Sequence, residues 1–309
     1  MRHGLVIGRF APPHLGHVHL CESARRLVDR LTILVSWLPD DPVPGPLRIA
    51  WMEELFPDCR VLGLEGVLPE TSDAVKALHP EPIDTLFAGD SDHLRLARDL
   101  GAAFTPVAPR LCPDLSGTAV RADPWAHWAH LPHVVRPHYA RTICLHGPES
   151  TGKSTLSAPL AAHFDTLWVP EYGRVHCELY GTDLDDAGLL TIGRTQSAMT
   201  RAALPWCNRR LVVDTDALTT AAWSLMILGH IPDGLFDGWV KADLYLLTDI
   251  DIPWKQDGGR YYPDHADRRR FMGACIQVME GAGASWVTLS GQNEVRLETA
   301  IAAVEQLKP

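Results

Sequence analysis

The sequence lacks any run that would cross a membrane as a helix. No segment approaches the roughly 20 consecutive apolar residues that a span needs, although 46% of the chain is hydrophobic. It also lacks paired cysteines. The seven, at positions 21, 59, 112, 144, 177, 207 and 275, stand singly without any CxxC spacing, so neither a zinc site nor a disulfide framework is indicated, and reduced, buried thiols are expected. A surplus of positive charge is missing too. The net charge of -10 argues against non-specific binding to nucleic acid, because phosphate contacts rely on clustered Lys and Arg. There is no low-complexity segment and no short repeat. The start, MRHGLVIGRF, is too short and too quickly polar for a signal peptide and reads as a first strand. These absences point to a cytoplasmic protein with neither membrane nor nucleic-acid partners, whose local basic residues serve small phosphates. The oligomeric state, homo-oligomer included, stays open.

What is present is a pair of phosphate-handling motifs, one opening each half of the 309 residues. That length carries a prior of about two domains. Short apolar runs at 4–8, 31–37, 84–89 and 102–108 alternate with helical patterns, Leu20, Ala24, Leu27 and Val28 sharing one helix face and Ile49, Met52 and Leu55 another. A Pro-bearing stretch at 131–139 interrupts the pattern before a new strand at 141–147. Later strands are expected at 211–216 and 243–251, and Leu297, Ile301, Val304 and Leu307 mark a C-terminal amphipathic helix. The fold expected is α/β, two tandem parallel-sheet domains over 1–135 and 136–309.

The first motif is GRFAPPHLGH at residues 8–17. His14 and His17 fall near the entry of a helix that follows a strand, where the partly positive helix end favours phosphate. Two imidazoles there suit transfer at the α-phosphate of a nucleoside triphosphate, where donors must meet developing negative charge. Gly16 allows close approach, and Arg9 would neutralise a phosphate. With 15 histidines in the chain, most must be structural, and it is the setting that distinguishes this pair. A second element, LSGTAVR at 115–121, offers Ser116 and Thr118 as helix-start residues, with Arg121 one turn later as a triphosphate clamp. Asp90 follows a strand at the edge where α/β sites collect, or caps the next helix. Arg48 and Trp51 are either acceptor contacts or one face of a helix.

GPESTGKS at 147–154 fits GxxxxGK[ST] at every fixed position, after a strand and before a helix, as a P-loop requires. Backbone amides from Gly147 through Glu149, Ser150 and Thr151 to Gly152 would cradle phosphates. Lys153 would reach the β- and γ-phosphates, and Ser154, followed by Thr155, would coordinate Mg2+. Downstream, Glu171 and Arg174 in VPEYGR offer a proton acceptor and a phosphate contact, or Glu171 is a first-turn helix acid. Asp214 and Asp216 end the run LVVDTD, where carboxylates suit Mg2+, its water or a ribose hydroxyl. In DIDIPWKQDGGR (249–260) the glycine pair permits lid motion, and Arg260 is favoured over Arg268, Arg269 and Arg270 for closing on the transferring phosphoryl group. Which of the three acids is the base stays open.

The GRFxPxHxGH and SGTxxR elements resemble the nicotinamide-mononucleotide adenylyltransferases, which implies ATP binding at His14, His17 and Arg121 and puts Gly8, Arg9 and Phe10 on the nucleotide loop. With the P-loop, EYxR, DTD and DxDxPWxxDGxR added, nearly the whole chain resembles the bifunctional nicotinamide-nucleotide adenylyltransferase/ribosylnicotinamide kinases of the NadR type. The resemblance implies a Rossmann-like nucleotidyltransferase followed by a P-loop kinase. It implies phosphorylation of nicotinamide riboside by ATP to the mononucleotide, NMN, and then adenylylation of NMN to NAD. Trp254 and Asp257 would line the riboside pocket, although Trp254 reads equally as a packed lid residue. Some members of the family carry an N-terminal helix-turn-helix that makes them repressors, and a first strand starting about four residues from the terminus leaves no room for one. Other acceptors, and a sensor that binds without turnover, are the competing readings.

Overall fold

The computed structural model describes residues 1–66, 72–89, 91–107, 115–255 and 261–309. The chain divides into two compact units, Met1–His138 and Tyr139–Pro309, each built on one parallel sheet. Among the described residues no helix is long and apolar enough to cross a membrane.

The first unit has strands β1 (His3–Gly8), β2 (Arg30–Trp37), β3 (Arg60–Glu65), β4 (Thr85–Ala88) and β5 (Ala103–Pro106). They lie in the order β3-β2-β1-β4-β5, all parallel. Helices cover both faces of such a sheet, so its strands read as continuous apolar runs. Alternate residues of LVIG serve the two sides: Val6 packs with Ile33, Val35, Met52 and Phe56, while Leu5 and Ile7 pack with Leu34, Leu86, Val75 and Leu96. Each such side chain taken out of water contributes about 1.5–3 kcal/mol. Because β2 and β4 flank β1 on opposite sides, the order reverses at β1, and a crevice opens beyond its carboxyl end. The motif GRFAPPH begins there.

The second unit repeats this logic with β6 (Arg141–His146), β7 (Trp168–Val169), β8 (Arg210–Asp214), β9 (Leu244–Thr248) and β10 (Trp286–Leu289). Their order is β10-β9-β6-β8-β7, again parallel. Ile143 and Leu145 face one core with Leu246, and Cys144 faces the other with Tyr245 and Phe271. The reversal falls at β6, so the P-loop leaves the sheet at its switch point.

Three strands were not foreseen from the sequence. β3 is a half-exposed edge strand interrupted by Gly63, β7 is two residues long, and β10 has only one buried position, Leu289. The C-terminal helix, Asn293–Glu305, buries Val304 as expected, with Leu297 and Ile301 partly buried against the same core, but Leu307 lies beyond its end, and Ala300 and the fully buried Arg296 share the inward face. Leu27, expected on the first helix, lies beyond its end at Arg25 and is 48% exposed.

Candidate active sites

At the first site His14 is the N-cap of the helix Leu15–Arg25. Its Nδ1 accepts from the Gly16 amide at 3.1 Å, and the Nδ1 of His17 accepts from the His14 amide at 3.3 Å. With both Nδ1 atoms used as acceptors, each neutral ring carries its proton on Nε2. The rings stack with centroids 3.8 Å apart at 30°. Burial lowers the His14 pKa to about 4, with the charges of His130, Arg121 and His127 adding to the effect. Burial pushes His17 well down too, helped by His14 and Arg121. The pair is therefore two fixed, neutral N–H donors at neutral pH. A Cβ on Gly16 would sit 3.0 Å from the His14 ring, so the close approach the glycine permits is to His14.

The distant SGTAVR element arrives at this loop. Ser116 caps the helix Gly117–Ala122 through the Ala119 amide, and Arg121 donates to the Ala11 carbonyl at 2.7 Å and to the Thr118 hydroxyl at 3.0 Å. Gly8 ends β1. Phe10 is buried, its ring 5.0 Å from that of His17, and at φ 47 it occupies the left-handed region that non-glycine residues enter at a cost. Arg9 forms an ion pair with Asp41, which also pairs with Arg48. The Arg48 guanidinium donates to the carbonyls of Val43, Arg9 and Ser36. It braces the loop from beneath, which removes Arg48 from the acceptor contacts, and Trp51 is buried against His138. Asp90 lies outside the described residues. His127 and His130 were missed from sequence, where WAHWAH reads only as a junction.

At the second site the P-loop encloses one side of a cavity of about 640 Å³ lined by Glu149–Thr155, Glu171, Arg174, Thr215, Trp223 and Tyr261, among others. Gly147 has φ 137, and a Cβ there would stand 2.6 Å from the Thr248 hydroxyl, so no other residue fits. Lys153 is buried, and its ammonium donates to the carbonyls of Gly147 and Pro148 at 2.9 and 2.8 Å. The Thr151 hydroxyl bonds to Pro148 O and Thr248 Oγ1. Ser150, at φ 57, accepts from the Lys255 amide. Glu149 accepts from the amides of Tyr261 (2.9 Å) and Tyr262 (2.6 Å) and from Trp254 Nε1 (3.4 Å). Its carboxylate thereby fastens the chain on either side of residues 256–260 to the P-loop, and Trp254 belongs to that fastening rather than to the cavity wall. Asp257 and Arg260 lie outside the described residues.

The two acids of DTD part company at Thr215, whose φ of 69 is a marked outlier for a β-branched residue. Asp214, at the end of β8, is 1% exposed, and its Oδ1 has no hydrogen-bond partner. Burial raises its pKa against the Ser154 hydroxyl bond and the charges of Lys153 and Arg174. An orphaned carboxylate oxygen beside the P-loop serine fits a hard cation such as Mg2+. Asp216 is turned the other way. Its Oδ1 caps the helix Ala217–Ile227 through the amides of Leu218 and Thr219, and its Oδ2 accepts from Trp239 Nε1 (2.9 Å) and the Tyr245 hydroxyl (2.6 Å). All its acceptor capacity is used within the fold, so the structure corrects the expectation of a catalytic Asp216. Glu171 and Arg174 face the cavity. Trp223 and Tyr261, 5.6 Å apart, form its aromatic wall together with Leu184, Leu189 and Ile192. The motif reading did not contain this wall, because its members carry no fixed spacing.

The pattern of the family described as Cytidylyltransferase-like matches residues 5–60, and that of the family described as AAA domain matches residues 142–296. The trifunctional NAD biosynthesis/regulator protein NadR of Escherichia coli is 27% identical, across 94% of this chain and 79% of the relative. Nicotinamide-nucleotide adenylyltransferase of Aeropyrum pernix is 32% identical over 136 residues, 39% of this chain and 78% of the relative. A crystal structure of NadR protein in complex with NR aligns with a TM-score of 0.81 at 22% identity, covering 99% of this chain and 96% of the other. A second, with NAD and AMP-PNP, aligns at 0.77.

Proposed function

The chain belongs to the NadR family, its second half an AAA domain, and on that footing we propose that it makes NAD from nicotinamide riboside in two ATP-dependent steps. The second unit phosphorylates the riboside to NMN. The first unit transfers the adenylyl group of ATP to NMN and releases pyrophosphate. The observation that carries this reading is the difference between the two nucleotide loops. One presents a stacked pair of neutral imidazoles, the other a lysine, a serine and a buried carboxylate with an unpaired oxygen.

In the kinase step the aromatic wall of Trp223 and Tyr261 holds the flat nicotinamide ring. Glu171 receives the proton of the riboside hydroxyl as its oxygen attacks the γ-phosphorus, and ADP departs. Lys153 exchanges its two loop carbonyls for phosphate oxygens, and Arg174 meets charge on the transferring group. Ser154 and Asp214 would hold Mg2+, which neutralises charge on the phosphates when bound. In the adenylyl step an NMN phosphate oxygen attacks the α-phosphorus of ATP. The Nε2–H groups of His14 and His17 stabilise the developing charge, and Arg121 the departing pyrophosphate. Residues 1–138 and 139–309 serve as the two catalytic domains, and both steps suit the ATP-rich cytoplasm.

A coupled assay tests the assignment. Lys153→Ala should form NAD from NMN but not from the riboside, and His17→Ala should stop at NMN. If neither substrate gave NAD with the unaltered chain, the acceptor assignment would be wrong.

A further inference from the structure

At the amino-terminal edge of the first sheet, away from the nucleotide loop, two buried histidines meet a carboxylate. His3, on β1, is 6% exposed, and His79, after the helix Ser72–Leu78, is 2% exposed. Their rings stand edge to face with centroids 4.5 Å apart. His3 Nδ1 and His79 Nε2 are both buried and have no hydrogen-bond partner. One ring nitrogen from each histidine and a Glu81 carboxylate oxygen lie within 4.8 Å of one another, with His3 Nδ1 3.7 Å from Glu81 Oε2.

The opposite nitrogen of each ring is occupied. His79 Nδ1 is 3.0 Å from the Glu81 carbonyl, which can only accept, so that nitrogen carries the proton and Nε2 keeps a bare lone pair. His3 Nε2 is 2.9 Å from the Thr32 hydroxyl, and its amide donates to Asp84. The Thr32 hydroxyl can accept the proton of His3 Nε2 and so free the Nδ1 lone pair, and outer hydrogen bonds of this kind are the usual support of a metal-ligating imidazole.

We propose that His3, His79 and Glu81 form a site for a borderline divalent cation of the Zn2+ class. Two imidazoles and one carboxylate are a frequent three-ligand zinc set, with water in the fourth position. Tetrahedral bonds of about 2.0–2.2 Å require ligand atoms about 3.3 Å apart, a few tenths of an ångström less than the His3–Glu81 separation. Glu81 is half exposed, and the Oε2 that faces His3 also pairs with Arg30 at 3.0 Å, so the carboxylate reaches the cation without disturbing the core once it turns and hands its other oxygen to the arginine. The cation would clip the start of β1 to the connection that leads into β4. Cysteine counting could not reveal such a site, because no cysteine belongs to it.

The test is titration of the chelator-stripped, full-length chain with Co2+, followed by displacement with Zn2+. We expect the visible absorption of a tetrahedral cobalt site, saturating at one equivalent and abolished by zinc. Glu81→Gln, on a partly exposed side chain, should weaken binding at least about 10-fold. His79→Gln should remove the band while leaving NAD formation from NMN intact, which also shows that the first unit is folded. The proposal is overturned if no tetrahedral spectrum forms, or if the band survives in Glu81→Gln and His79→Gln with unchanged affinity.

Discussion

In Asp216→Asn the side chain keeps its shape, and Oδ1 still receives the Leu218 and Thr219 amides. The new amide nitrogen, however, stands where Oδ2 accepts from Tyr245 and Trp239. Two buried donors lose their acceptor and confront a third. An unsatisfied buried donor costs about 1–3 kcal/mol, and removing the charge of a buried carboxylate returns part of that. The expected loss for the second unit is about 2–4 kcal/mol. With a urea dependence of about 1–3 kcal/mol per molar, the unfolding midpoint should fall by about 1 M or more. Phosphorylation of the riboside per folded molecule should stay within a few-fold, because the carboxylate never reaches the phosphoryl group. A general base contributes about 10²–10⁴ in rate, so the alternative is easily seen. If kinase turnover fell by about 100-fold or more with an unmoved midpoint, Asp216 would be the base and its reading as a helix cap would be refuted.

Two further outcomes follow from buried groups. Arg296→Met removes a guanidinium that donates to the carbonyls of Gly291, Thr151 and Asp249 and pairs with Asp251. It should destabilise the second unit by about 3–5 kcal/mol and abolish riboside phosphorylation while NMN adenylylation persists, as separate assays of ADP and pyrophosphate would register. His14 has its pKa lowered to about 4, so below about pH 6.5 the unfolded chain binds a proton that the folded chain refuses. Stability of the first unit should therefore fall as pH drops from 6.5, His14 alone contributing about 3 kcal/mol at pH 4 given about 1.4 kcal/mol per pH unit, with His17 and His3, also lowered, adding to the fall. His14→Asn should make that slope shallower in urea titrations at several pH values, and equal slopes would contradict the burial argument.

The legible parts of this sequence were those with a fixed local spacing. Runs such as LVIG and LTILVSW are largely apolar on both strand faces, Thr32 and Ser36 apart, because both sheet faces are covered, and the glycines of the P-loop are dictated by a backbone that admits no Cβ at Gly147. The edge strands were not legible, since β3 and β10 bury too few residues to leave a pattern. Nor was the division of labour in DTD. Spacing places two carboxylates at a strand end, but the positive φ of Thr215 sends one toward the P-loop serine and the other into a helix cap. The aromatic wall of the cavity was hidden for a related reason: Trp223 lies on a helix and Tyr261 follows residue 260, and only the fold brings them together.

Arg48 and Arg296 show why charge in a sequence misleads about where phosphate is bound. Both are fully buried, one per unit, and each donates mainly to backbone carbonyls at strand ends or in the loops that follow, Arg9 and Ser36 for the first, Thr151 and Asp249 for the second. A nucleotide loop turns its amides toward phosphate, so its carbonyls face the protein, where water cannot reach them. A planar cation with five donors satisfies several such carbonyls at once, and a nearby aspartate, Asp41 or Asp251, balances its charge. Lysine could not span the same oxygens, which is why each brace is an arginine. Lys153 and Arg121 also hold loop carbonyls, but their motifs mark them, whereas Arg48 and Arg296 carry no motif spacing and only the fold shows them to be braces.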